Sequence, residues 1–171
     1  MKRITSVSVA LVLSLLCGLV VRAQMHTPVK STGLEQLKSL AGEWNGTKAD
    51  GKAVHVTYQV VSNGDDLLER LDSTDASEMV TMYSADGDRI AVTHYCSAGN
   101  QPQMQTAPIA SAAKRFEFNF VRATNLASPA AGHMGKLVVI IQDHDHFTQE
   151  WTWFEGGKPA HTELFRFTRK S

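Results

Sequence analysis

The chain has 171 residues, with 17 basic and 17 acidic side chains and a sequence pI of about 7.1. No basic run or patch interrupts this balance, so nucleic acid and acidic membrane surfaces are poor partner candidates. A chain of this length can build one domain with a real hydrophobic core, and no internal repeat or second domain is visible.

The first segment, residues 1–23, is predicted to be a secretory signal peptide. A positive start precedes a mostly apolar stretch over residues 4–21, and cleavage is expected between Ala23 and Gln24. An uncleaved membrane anchor is the alternative, but the apolar stretch is short of the roughly 20 residues that a spanning helix needs. We therefore expect a secreted protein, periplasmic or extracellular, that has no membrane contact after cleavage.

Cysteine usage agrees with this assignment. Cys17 would leave with the signal peptide, so Cys96 would be alone and no intrachain disulfide could form. The sequence favours Cys96 as a small buried apolar residue over a reactive thiol. Residues 24–30 are a polar lead, expected to be flexible, and residues 31–171 form the folded domain.

A short helix opens that domain. Ser31 or Thr32 can cap it, and leucines at positions 34, 37 and 40 recur at helical spacing. Such a helix could plug one end of a barrel. From Trp44 onward the period changes to two, which indicates β-strands. The predicted strand runs cover residues 54–60, 67–71, 79–83, 89–96, 115–121, 137–141, 147–154 and 161–168.

Three tight turns join neighbouring runs, at Asn63-Gly64-Asp65, at Asp86-Gly87-Asp88 and at Glu155-Gly156-Gly157-Lys158. Strands joined by hairpins are antiparallel, and a long meander must close or stack because open edges invite aggregation. The sequence therefore predicts an all-β fold, a single antiparallel up-and-down β-barrel of 8–10 strands with a short N-terminal helix. A two-sheet sandwich is the alternative.

Two segments break the rhythm and are interpreted as long loops, residues 97–114 and residues 122–135. Loops of this length are uncommon without a purpose, and strand ends are where binding loops lie. Surface decoration without a function is the alternative interpretation of either loop.

Alternation indicates which side chains face the interior. His94 shares a face with apolar Ile90 and Val92, which places it inside. Two later strands contribute further inward-facing side chains. The first strand contributes Phe147, Gln149, Trp151 and Trp153, and the second contributes His161, Glu163, Phe165 and Phe167. The expected lumen is thus aromatic with a few polar groups, including Glu69, which is the usual appearance of a small-molecule site.

Metal and enzyme signatures are weak. His144-Asp145-His146 carries suitable metal ligands, but its surroundings are typical of a solvated turn, and no metal site is predicted. The chain contains no Gly-x-Ser-x-Gly elbow, phosphate loop or Cys-x-x-Cys motif. A thiolate–imidazole pair between His94 and Cys96 is conceivable, although an apolar lumen would raise the pKa of the thiol and make it inert.

Two stretches carry a resemblance to known proteins. The segment from Leu37 to Trp44, Leu-Lys-Ser-Leu-Ala-Gly-Glu-Trp, resembles the opening of lipocalin-like (calycin) β-barrels. Residues 82–89 running into residues 93–102 resemble a group of uncharacterised secreted bacterial proteins of this architecture. The resemblance implies the fold. A related branch, the nitrobindin-like proteins, binds haem through a histidine on a late strand, and His161 is the matching position here.

The sequence as a whole predicts a secreted barrel that binds a small, largely apolar molecule in its lumen. Haem is the alternative cofactor, with His94, His133 and His161 as candidate ligands. A small enzyme that uses His94 with Cys96 or Glu163 is the third hypothesis. The candidate ligand-binding residues are His94, Tyr95, Asn100, Gln101, Trp151, Trp153, His161 and Glu163.

Overall fold

A computed structural model of the protein describes residues 31–74 and 76–171. The predicted signal peptide over residues 1–23 and the lead over residues 24–30 lie outside this part of the chain. Among the described residues, no helix combines the length and the apolar character that crossing a membrane requires.

The described chain is one short helix followed by ten strands. The helix α1 spans Thr32–Leu37 and continues as a 3-10 turn over Lys38–Leu40. The strands are β1 (Gly42–Lys48), β2 (Ala53–Val61), β3 (Asp66–Ser73), β4 (Ala76–Asp86), β5 (Arg89–Tyr95), β6 (Gln101–Thr106), β7 (Arg115–Thr124), β8 (His133–Ile141), β9 (His146–Glu155) and β10 (Lys158–Arg169).

Each strand pairs antiparallel with its neighbour in the chain, and β10 pairs with β1 to close the barrel. The predicted up-and-down barrel is confirmed, with the strand number at the upper end of the expected range. The sandwich alternative is wrong, because the hydrogen-bonded ladder runs unbroken around the sheet. Closure leaves no free edge for a second chain to pair with.

The three predicted turns are confirmed. Asn63 and Gly64 have φ values of 55° and 99° between β2 and β3, and Gly87 has 63° between β4 and β5. Gly156 and Gly157, at 61° and 76°, form the turn between β9 and β10. The Gly156-Gly157 pair supplies the left-handed backbone that a tight hairpin requires at both central positions.

The segment over residues 97–114 differs from the prediction, because β6 lies within it. Its burial alternates, with Pro102, Met104 and Thr106 buried and the intervening glutamines half-buried. Pro102 and the three glutamines give this segment a composition that is typical of loops. A half-buried strand, however, needs buried side chains on only one of its two faces. The second predicted loop is shorter than expected, since β7 extends to Thr124 and β8 begins at His133.

The two ends of the barrel differ. Ser31 caps α1 by accepting a hydrogen bond from the Leu34 amide, 3.4 Å away, and Leu34, Leu37 and Leu40 are buried. The helix thereby closes the end where the chain enters β1. Up-and-down topology places the β3–β4, β5–β6, β7–β8 and β9–β10 connections at the opposite end, which no helix among the described residues covers.

A candidate ligand cavity at the open end of the barrel

The barrel interior is arranged in layers that follow from strand alternation. The layer nearest α1 is apolar: Trp44, Phe147 and Phe167 are almost fully buried. The Trp44 ring meets Phe147 edge-on, with centroids 4.7 Å apart, and its Nε1 donates to the Leu40 carbonyl at 2.7 Å. Trp44 therefore has a structural role in the floor of the barrel.

Above this floor lies a buried carboxyl group, Glu69 of β3. Its Oε2 accepts hydrogen bonds from the hydroxyls of Tyr58 and Tyr83, each at 2.6 Å, and from Nε2 of Gln149 at 2.7 Å. Its Oε1 lies 3.4 Å from the Thr81 hydroxyl. All of these donors are uncharged, so Glu69 is held in the barrel by hydrogen bonds rather than by an ion pair.

Burial shifts the titration of this group. Desolvation raises the pKa of Glu69, while the four hydrogen bonds oppose that rise. Desolvation, together with the adjacent Glu69, also raises the pKa of Tyr58 and Tyr83 well above the usual tyrosine range. Both tyrosines are therefore neutral donors at neutral pH.

The network continues toward the open end through His94 of β5. Its Nδ1 lies 3.0 Å from the Thr81 hydroxyl, and its ring lies against Trp151, with centroids 4.4 Å apart. The side chain is 1% exposed, and burial lowers the pKa of His94 to about 4, so the ring is neutral at neutral pH. Among the described residues, Nε2 of His94 has no hydrogen-bond partner.

A cavity of about 380 Å³ opens beyond His94. Its inner wall is formed by His94 and Trp151 with apolar Leu71 and Phe165, and Met79 and Met134 lie farther out. Because Nδ1 of His94 is hydrogen-bonded to the Thr81 hydroxyl, Nε2 is the ring nitrogen left for a molecule in the cavity. The volume and the apolar lining are those of ordinary small-ligand sites.

The rim of the cavity is more polar. His161 and Glu163 of β10 reach it, with Lys48 of β1 and Cys96 at the end of β5. The His161 ring stacks near Trp153, with centroids 6.4 Å apart. Entry to the cavity therefore passes charged and polar groups before it reaches the apolar wall.

Five of the eight predicted ligand-binding residues line this one cavity, which brings together strands distant in sequence. These five are His94, Trp151, Trp153, His161 and Glu163.

The other three predicted residues do not line the cavity. Tyr95 follows His94 on the strand, so its side chain points outward and is 53% exposed. Nδ2 of Asn100 donates to the Gly132 carbonyl at 2.9 Å, which ties the β5–β6 turn to the β7–β8 loop. Gln101 accepts from the Thr124 hydroxyl at 2.8 Å. The candidate site therefore excludes Tyr95, Asn100 and Gln101. Asn100 and Gln101 instead form hydrogen bonds that hold neighbouring connections together.

Three further histidines make local contacts. His133 is buried outside the cavity lining, with Nδ1 2.8 Å from the Ala131 carbonyl. His144 contacts Asp145 at 2.7 Å and His146 contacts Asp143 at 2.9 Å, in the exposed turn between β8 and β9. In the described ranges no group of three or more His, Cys, Asp or Glu side chains is arranged to hold a metal ion.

The thiol–imidazole pair considered for His94 and Cys96 does not form in this structure. The His94 ring bonds to Thr81 instead, and burial raises the pKa of the Cys96 thiol. A neutral thiol beside a neutral imidazole is a poor nucleophile. Cys96 is half-buried at the cavity rim, where its accessibility can report on what the cavity holds.

Sequence reasoning missed Thr81 and the tyrosines that surround Glu69. Periodicity places Tyr58 on the apolar face of its strand but does not identify its partner. The hydrogen bonds of Glu69 cross three strands, so finding them requires the register of β2, β4 and β9. The signal available in the sequence was Glu69 itself, a carboxylate at an inward-facing position of an otherwise apolar strand.

Comparison with known proteins supports the fold alone. No family model and no curated protein matches the chain. The crystal structure of a protein of unknown function from the DUF3598 family of Nostoc punctiforme PCC 73102 aligns with a TM-score of 0.52 and 12% identity. The alignment covers 84% of this chain and 51% of the other protein, so this chain spans about half of that protein's length.

Two further barrels align at lower similarity. A redesigned β-barrel covers 78% of this chain and a barrel bound to DFHBI covers 82%, with TM-scores of 0.39 and 0.36 and identities of 13% and 12%. The alignments extend over 94% and 100% of those chains.

Proposed function

We propose that this protein binds a small, largely apolar molecule in the cavity at the open end of its barrel, in the secreted form that signal cleavage would release. One observation carries the proposal. A neutral, buried imidazole with an unpartnered nitrogen lies at the inner end of an apolar space of about 380 Å³. Buried polar atoms normally have a partner, and a ligand would supply one here.

The wall favours an apolar body over a strongly polar one. Trp151, Trp153 and Phe165 offer large aromatic surfaces, and Met79 and Met134 are flexible thioethers that adapt to different shapes. Burial of apolar surface would supply most of the affinity, at about 25 cal/mol per Å² before the costs of association.

Native mass spectrometry of the protein purified from its own host, with an absorption spectrum, is the direct test. We expect an added mass of a few hundred daltons that is released on denaturation. A cavity-filling variant makes the test specific to the site. Met134→Trp should displace the bound mass and weaken the fluorescence of added 1-aminoanthracene, whereas Val121→Trp, at a 61% exposed position, should change neither. Equal binding by both variants would show that the ligand binds outside this cavity.

Haem is the second candidate ligand, because an axial ligand needs a free imidazole nitrogen beside an apolar space. The unpartnered atom makes His94, rather than His161 at the rim, the residue that would hold the iron. Haem would supply redox or gas-binding chemistry when bound. A Soret band that disappears in His94→Phe and persists in His161→Phe supports this candidate, and a colourless protein that takes up no added haemin eliminates it.

A further inference from the structure

The polar network behind the cavity sets which hydrogen-bonding role His94 presents to a ligand. Oε2 of Glu69 accepts three hydrogen bonds, two at 2.6 Å from the tyrosine hydroxyls and one at 2.7 Å from Gln149. Oε1 accepts a fourth from the hydroxyl of Thr81 at 3.4 Å, so the carboxyl group acts as an acceptor toward all four neighbours. The single proton of the Thr81 hydroxyl is therefore directed at Oε1 of Glu69.

The position of that proton fixes the tautomer of the histidine. With its proton directed at Glu69, Oγ1 of Thr81 can only accept from Nδ1 of His94. Nδ1 must then carry the ring proton. A neutral imidazole carries one proton, so Nε2 of His94, a residue that lines the cavity, is a buried acceptor without a partner.

A buried acceptor without a partner selects among ligands. A ligand hydroxyl or N–H satisfies it, whereas an ether oxygen or a carboxylate meets it with lone pairs, and a hydrocarbon leaves it unsatisfied. We infer, on the basis of the function proposed above, that the cavity takes uncharged apolar molecules with one hydroxyl or N–H donor at their inner end, with His94 as the acceptor and Glu69 and Thr81 as positioning residues.

Matched probes test the inference. Isothermal titration calorimetry at about pH 8 would compare 2-naphthol with 2-methoxynaphthalene and naphthalene, which share the apolar body but lack the donor. We expect 2-naphthol to bind about three- to tenfold more tightly than either, as one net neutral hydrogen bond predicts. Equal affinity for all three would overturn the inference and leave the proposed function standing. Failure of every probe to bind, together with a native mass that shows no bound ligand, would overturn both the inference and the proposed function.

Variants assign the preference to the network. His94→Phe should bind naphthalene and lose the preference for 2-naphthol. Thr81→Val should reduce the preference, and Thr81→Ser, which keeps the hydroxyl, should restore it. The matched control is Tyr95→Phe, which removes an exposed hydroxyl beside His94 and should leave every affinity unchanged. A preference retained in both His94→Phe and Thr81→Val would overturn the assignment.

The tautomer can be read without any variant. Long-range ¹H–¹⁵N correlation spectra of the free wild-type protein distinguish a protonated ring nitrogen from a bare one. We expect Nδ1 of His94 to carry the proton and Nε2 to give the signal of an unprotonated nitrogen. The opposite assignment, with the proton on Nε2, would overturn the inference even if the variants fail to fold.

Discussion

The guanidinium carbon of Arg169 lies 4.0 Å from the centre of the Trp44 ring, on the closed end of the barrel. The same guanidinium donates to three carbonyl groups, those of Ser39, Ala41 and His144, at 2.9–3.0 Å. One side chain thus joins the last strand to the segment after α1 and to the β8–β9 turn. A planar fork with five donors can satisfy this set, and a single ammonium group cannot.

Arg169→Lys should therefore lower the free energy of unfolding by about 2 kcal/mol, since net hydrogen bonds contribute about 1 kcal/mol each and the cation–π contact about 0.5–1 kcal/mol. Urea denaturation measures the change. Arg70→Lys is the control, because Arg70 is 51% exposed beside Glu78, and we expect less than about 0.5 kcal/mol there. Equal losses in the two variants would show that the bonds at the closed end contribute nothing special.

The low pKa of His94 makes the fold sensitive to acid. Its pKa falls from 6.5 to about 4 on folding, so its contribution is fully present above 6.5 and is lost as pH falls toward 4. About 3 kcal/mol of stability should disappear across that window in wild type relative to His94→Phe. Urea midpoints measured at successive pH values show it. His144→Gln, at an exposed turn, should retain the wild-type dependence, and a parallel curve for His94→Phe would contradict the prediction.

Glu69 should have the opposite pH dependence. Its pKa is raised on folding, so its favourable contribution is complete below the ordinary value of 4.5 and is lost as pH rises through the folded-state value. Relative to Glu69→Gln, wild type should therefore lose stability as pH increases. Comparison of the two denaturation curves across pH measures this, with the exposed Glu78→Gln as control. A difference that stays constant with pH would mean that Glu69 does not titrate in the folded state.

Removal of the carboxyl group should cost more than its neutralisation. Glu69→Leu leaves the hydroxyls of Tyr58 and Tyr83 and the amide of Gln149 without their acceptor, at about 1–3 kcal/mol for each buried donor. We expect at least about 3 kcal/mol of destabilisation by urea titration. A variant as stable as wild type would show that the interior repacks as an apolar layer.

Cys96 reports on the cavity. Because burial raises the pKa of its thiol, we expect iodoacetamide to label it slowly at neutral pH and faster as pH rises. Saturation of the cavity with 2-naphthol should slow labelling further, since Cys96 lines the rim. Mass spectrometry over time measures both rates, with unfolded protein in urea as the reference. Rapid labelling at neutral pH would restore the reactive-thiol hypothesis.

The sequence was sufficient for the barrel because patterning and turns act locally. Alternation in residues 54–60 and Gly-rich hairpins predict antiparallel strands without any knowledge of long-range contacts. The short strand β6 was missed because its outward side chains are glutamines and Pro102 cannot donate a backbone hydrogen bond, so its composition resembles a loop.

The site was only partly predictable, for a different reason. Strand alternation placed His94 and Trp151 inside, and the same rule should have placed Tyr95 outside. The hydrogen bonds of Glu69 depend on which residues of β2, β4 and β9 face one another across the barrel. A one-residue slip of register would rotate every inward side chain outward, and single-strand periodicity does not determine register between strands.

The pairing of β1 with β10 has a consequence for how the chain reaches its native state. Hydrogen bonds at this seam join groups as far as 130 residues apart, for example Arg169 and the Ser39 carbonyl. Loop closure over such a distance is costly before contacts repay it, so a meander can assemble hairpin by hairpin while its seam forms last. Until then two strand edges are exposed, and this interval is when the nascent chain is most vulnerable to aggregation and most in need of a chaperone.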